Sequence, residues 1–95
     1  MIASFGEKAT ESLFHDGTAK GQLPNQITNV ALRKLDMLNG ATQLSDLRSP
    51  PGNRLEALKG NYAGYHSIRI NGQWRIVFRW EGGDAHEVSI IDYHS

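Results

Sequence analysis

The last apolar run of the chain leads into Asp92-Tyr93-His94, a carboxylate, a phenol and an imidazole in consecutive positions. In an extended segment side chains alternate, so Asp92 and His94 are expected on one side and Tyr93 on the other. Arg75 sits in the preceding apolar run and Lys59 further upstream. These residue types suit cleavage of an RNA phosphodiester without a metal. That reaction needs a base for the 2′-hydroxyl, cationic donors for the charge building on the phosphorane, and an acid for the leaving 5′-oxygen. His94 can be base or acid near neutral pH, and Asp92 can be a base or orient the imidazole. Arg75 and Lys59 can hold the phosphate. An Asp–His pair by itself is also what an ordinary surface ion pair looks like, so the surrounding elements have to position these groups before the chemistry means anything.

The net charge of zero hides a segregation. Residues 48 to 80 hold Arg48, Arg54, Lys59, Arg69, Arg75 and Arg79 against Glu56 alone, a net +5, while residues 81 to 95 hold Glu81, Asp84, Glu87 and Asp92, a net −4. Arginine suits bidentate phosphate contacts, which makes Arg48, Arg54, Arg69 and Arg79 the candidate RNA-binding set around Arg75. There is no cysteine, which excludes a disulfide scaffold and a thiolate zinc site. His66, His86 and His94 lack the spacing of known metal motifs, and the glycines sit at turns instead of forming a phosphate loop. No metal and no cofactor are therefore expected. No apolar run approaches the roughly 18 residues of a membrane span, and Met1 to Lys8 lacks the pattern of a signal peptide. The expectation is a cytoplasmic protein with no membrane partner. Its 95 residues suffice for one modest core, hence a single domain over 1–95.

The elements follow from periodicity and punctuation. Ile2 to Phe5 suggests a short first strand. Residues 7 to 16 read as a helix with Ala9 and Leu13 inward, stopped by Asp16-Gly17. Pro24 opens a second helix over 24 to 39, where Ile27, Val30, Ala31, Leu35 and Leu38 keep helical spacing. Asn39-Gly40 is expected to close it, and Arg33, Lys34 and Asp36 to be solvated. Residues 41 to 53 look irregular, anchored by Leu44 and Leu47, with Pro50-Pro51-Gly52-Asn53 as a stiff turn. Short strands are expected at 54 to 58 and 65 to 70. Asn71-Gly72 is a strong hairpin signal, leading to strands at 74 to 80 and 85 to 92 around Gly82-Gly83-Asp84. The order is β-α-α-β-β-β-β, an α+β fold with two helices on one face of a mainly antiparallel sheet. Alternation puts Trp74, Ile76, Phe78 and Trp80 against the helices, and leaves Arg75, Val77 and Arg79 on a face open to a ligand.

The chain resembles the HigB toxins of the RelE/ParE superfamily, from bacterial type II toxin–antitoxin systems. The resemblance runs from Met1-Ile2 and Phe5 through Arg33-Lys34-Leu35 and Leu44 to Leu55. It is most specific in Leu58-Lys59-Gly60, Gly64-Tyr65, Ser67-Ile68-Arg69, Gln73-Trp74-Arg75-Ile76 and Asp92-Tyr93-His94. It implies a RelE-like fold and a ribosome-dependent mRNA interferase that cuts the message in the 30S A site by 2′-hydroxyl attack, leaving a cyclic phosphate. It further implies a HigA-like helix-turn-helix antitoxin as partner, with operator DNA reached only through that antitoxin. Lys59, Arg75, Asp92, Tyr93 and His94 match the family's functional positions. Glu56 stands where some members carry a histidine, so either Glu56 takes the proton or His94 and Asp92 carry the acid/base work. Two rivals are a ParE-like gyrase poison on the same fold and a catalytically degenerate antitoxin-binding protein.

Overall fold

A computed structural model of the chain describes residues 1–19 and 21–93. His94 and Lys20 lie outside the described residues. Helix α1 spans Lys8–Asp16: Glu7 caps its start, accepting the Thr10 N–H at 3.1 Å, and Gly17 ends it at φ 76° with its N–H on the Leu13 carbonyl. Helix α2 spans Asn25–Gly40, with Pro24 at the cap position. It buries Ile27, Ala31, Leu35 and Leu38, an unbroken stripe at helical spacing. The helix ends at the Asn39-Gly40 pair as the sequence suggested, but without a left-handed residue there. The helix runs through Gly40 to an extended Ala41, while the Asn39 Oδ1 accepts the Ile2 N–H at 2.9 Å.

The sheet holds β1 (Glu56–Ala57), β2 (Tyr65–Arg69), β3 (Trp74–Glu81) and β4 (Asp84–Asp92) in the order β1-β2-β3-β4, every pair antiparallel. The N-terminal segment lies alongside β4 through parallel bridges at Ile2–Ala85 and Phe5–Val88. Gly82 and Gly83, at φ 62° and 81°, close the β3–β4 hairpin in the left-handed geometry that a two-residue turn requires. At the other hairpin the Asn71 Oδ1 accepts the N–H groups of Gln73 and Trp74, both at 2.8 Å, which makes a wider loop.

Ile76 and Phe78 are fully buried against the helices together with Ile68 and Val88, and Trp74 and Trp80 pack half-buried at the margin. A fully buried side chain of this kind stabilises the fold by roughly 1.5–3 kcal/mol. The opposite face is less open than alternation implied, since Val77 is 2% and Ser67 0% exposed there. A bulge shifts the register of β4 by one: Val77 faces Ser89, whereas Arg79 faces His86. Glu87 takes up the extra residue at φ 54°.

Residues 41 to 53 are ordered more than their composition suggested. They form two 3₁₀ turns, Leu44–Arg48 and Pro51–Asn53, with Leu47 fully buried. The buried Asn53 amide ties them together by donating to the carbonyls of Leu47 (3.1 Å) and Ser49 (3.4 Å). Arg54 then turns left-handed at φ 45°, which cuts the expected strand 54–58 down to β1.

Candidate active site

Arg75 is the centre of a small cleft. β3 presents it on the face away from the helices, where only 12% of its side chain is exposed. Its Nη1 donates to the Ser67 hydroxyl at 2.8 Å and to the Arg54 carbonyl at 3.4 Å. Its Nη2 donates to the Glu56 carboxylate at 3.1 Å, and its Cζ lies 5.6 Å from the centroid of the Tyr93 ring. Strand pairing explains the convergence. Glu56 pairs with Ser67 across β1–β2, and Arg69 pairs with Arg75 across β2–β3, so all four side chains share one face. The resulting cleft, about 280 Å³, is lined by Glu56, Arg69, Asn71, Gly72, Arg75 and Tyr93. A guanidinium held by several partners, beside a carboxylate and a phenol, can seat an anion in a fixed orientation.

Asp92 and Tyr93 lie on opposite sides as alternation implied, but it is Tyr93 and not Asp92 that shares the face of Arg75. Arg75 pairs with Ile91 and Trp74 with Asp92. Two residues beyond Ile91, Tyr93 therefore falls on the Arg75 face, and Asp92 falls on the Trp74 face. The Asp92 carboxylate accepts from the Gln73 amide at 3.0 Å, and the Tyr93 N–H donates to the Gln73 carbonyl at 2.6 Å. His94, the expected proton carrier, lies outside the described residues. Lys59 is exposed on the turn after β1 and does not line the cleft.

The RNA-binding candidates separate into three places. Arg69 lines the Arg75 cleft. Arg48 and Arg54 line a larger cleft behind β1. Arg79, expected to face a ligand, lies at the far end of β3 between two carboxylates: Nε donates to Glu87 at 3.0 Å and Nη1 to Glu81. The Glu87 hydrogen bond, with Glu81 adding to it, raises the Arg79 pKa. The same bond, helped by one from Tyr65, holds the Glu87 carboxyl below its ordinary value. Two carboxylates thus hold Arg79 beside the bulge, away from the Arg75 cleft. Lys34 is not a solvated charge. Its Nζ donates to the Arg69 carbonyl at 2.7 Å, and burial, then the charges of Arg69 and Arg33, lower its pKa. Helix α2 thus pins the end of β2 that carries Arg69.

Ser67, Asn71 and Gln73 were not expected in the site. The pattern of β2 carried a signal for Ser67, because Tyr65, Ser67 and Arg69 alternate onto the face of Arg75. A small hydroxyl between two long side chains there leaves room for a guanidinium to fold over it.

The chain is similar in fold to a chain of the YoeB–YefM complex from Staphylococcus aureus, with a TM-score of 0.61 and 17% identity over 100% of this chain and 99% of that one. Two helices on a four-stranded antiparallel sheet with this likeness define an α+β, RelE-like fold. The match to the family described as the RelE-like toxin HigB of type II toxin–antitoxin systems covers residues 3–94, and the chain belongs to that family of toxins. It is 44% identical to Toxin HigB-1 of Vibrio cholerae serotype O1 over 85 residues, 90% of each chain. It is 35% identical to Endoribonuclease HigB of Proteus vulgaris over 94 residues, covering 99% of this chain and 100% of that one. Among the described residues no helix is long and apolar enough to cross a membrane.

Proposed function

We propose that this toxin is a metal-independent endoribonuclease that cleaves mRNA in the ribosomal A site and is neutralised in the cytoplasm by a HigA-like helix-turn-helix antitoxin. The observation that carries the reading is the Arg75 guanidinium, oriented by Ser67, the Arg54 carbonyl and Glu56 on the wall of a cleft it shares with Tyr93. The family membership and the Proteus relative described as an endoribonuclease support it.

In this mechanism the scissile phosphate seats on Arg75, with Lys59 adding positive charge from the neighbouring turn. Glu56, the carboxylate at the cleft, takes the 2′-hydroxyl proton as the O2′–P bond forms. His94 delivers a proton to the 5′-oxygen as the P–O5′ bond breaks, leaving a 2′,3′-cyclic phosphate and a 5′-hydroxyl. Tyr93 presents its ring to a base. Asp92, bound to Gln73, fixes the strand end from which His94 extends. A positioned acid or base contributes about 10²–10⁴-fold, and a preorganised donor about 3–4 kcal/mol.

The test is expression without antitoxin, mapping mRNA 5′ ends by primer extension in the wild type and in Arg75→Ala and His94→Ala. Codon-phased cuts in the wild type that disappear in both variants are expected. Growth arrest over intact messages would sink the nuclease reading, and a DNA-damage response in its place would point to a gyrase poison.

A further inference from the structure

The cleft behind β1 has a volume of about 640 Å³ and is walled by Arg48, Arg54, His66 and Ser45 over an apolar floor. No carboxylate is among its described lining residues. Two guanidiniums, an imidazole and a hydroxyl without an acid form a donor set for phosphate. His66 is a reporter at the cleft wall. Its ring stacks on Phe78 at 6.3 Å, and its Nδ1 is buried with no hydrogen-bond partner among the described residues. The cleft therefore meets the His66 ring at its remaining edge, where a bound phosphate would change the ring's surroundings.

Arg54 joins this cleft to the Arg75 cleft. Its left-handed backbone at φ 45° lets its side chain line the larger cleft while its carbonyl accepts from Arg75 Nη1 at 3.4 Å. A non-glycine residue held there is strained, and such residues cluster at active sites and ligand clamps. β1 contributes to both clefts, Glu56 lining the Arg75 cleft and Ala57 the larger one.

We propose that the Arg48–Arg54–His66 cleft binds a second backbone phosphate of the single-stranded RNA whose scissile phosphate sits on Arg75, the strand crossing the edge at β1. The RNA assignment rests on the nuclease reading; the phosphate chemistry of the cleft does not. The test is an NMR titration of the toxin with inorganic phosphate and with a short 2′-O-methyl oligoribonucleotide that cannot be cut, against sodium chloride at matched ionic strength. The His66 ring and the Arg75 guanidinium are followed separately. Both phosphate ligands should shift His66 saturably, and chloride should not. Arg48→Ala and Arg54→Ala together should weaken oligonucleotide binding about tenfold or more. They should lower the slope of log affinity against log salt by about 0.7 for each RNA phosphate that is no longer neutralised, with Arg75 still responding. Arg48→Ala alone, at an exposed residue, should move both quantities in the same direction.

An unmoved His66 beside a responding Arg75 overturns the second site and leaves the nuclease reading standing. A response to inorganic phosphate but none to the oligonucleotide overturns the RNA assignment. A responding His66 beside a silent Arg75 supports the second site and counts against the nuclease reading.

Discussion

At Arg75 four neighbours act on one side chain: the Ser67 hydroxyl, the Arg54 carbonyl, the Glu56 carboxylate and the Tyr93 ring. Arg75 itself could be picked out from the alternation of the Trp74–Trp80 run. Its partners could not, because they depend on three strand registers: Ser67 on β2–β3, Glu56 on β1–β2 and Tyr93 on β3–β4. The same dependence decides that Tyr93, and not Asp92, meets Arg75. Glu56 is the residue whose role the site leaves to experiment. As the proton acceptor, its replacement by glutamine should reduce single-turnover cleavage on ribosomes by about 10²–10⁴-fold. Binding of an uncleavable oligonucleotide should be retained or tightened, because a carboxylate no longer competes for Arg75. Unchanged cleavage with tighter binding would make Glu56 only a support for the guanidinium.

Among the elements, those set by local chemistry were legible. Both helices, the Gly82-Gly83 turn and the Leu47 anchor follow from capping, left-handed glycine and apolar spacing. Elements fixed by tertiary contacts were not. The 3₁₀ turns depend on the buried Asn53 amide, and the β4 bulge depends on Glu87 being held by Arg79. The first 3₁₀ turn is capped by Asp46, whose carboxylate accepts the N–H groups of Thr42 (3.0 Å) and Gln43 (3.1 Å). Those bonds hold its pKa below the ordinary 3.8. A depressed carboxyl contributes stability that is complete above that value and is lost as pH falls through the folded one. Asp46→Asn should therefore lower the urea midpoint at neutral pH, and its gap to wild type should narrow in titrations taken below pH 3.8. Beside the bulge, a Cβ on Gly6 would stand 2.8 Å from the Glu87 carbonyl oxygen and would also crowd the Ser89 hydroxyl. Gly6→Ala should destabilise the fold by about 1–3 kcal/mol in equilibrium denaturation, since backbone leaves little room to yield.

Over the whole molecule the neutral sum resolves into two poles. Arg48, Arg54, Arg69 and Arg75 gather around β1 and the Asn71 loop, while Glu81, Asp84 and Glu87 cluster at the Gly82-Gly83 end of the same sheet. The charge blocks in the sequence announced this separation, although not that Arg79 belongs to the acidic pole. A neutral protein with such a dipole is turned as it approaches a polyanion, so its cationic end arrives first. The two edges of the sheet have a different consequence. One flank of the sheet is the two-residue β1, and the other is β4 covered by the parallel bridges at Ile2 and Phe5. Neither flank offers a long row of unpaired amides on which another copy could template itself. Strand-by-strand polymerisation is thereby starved of a seed.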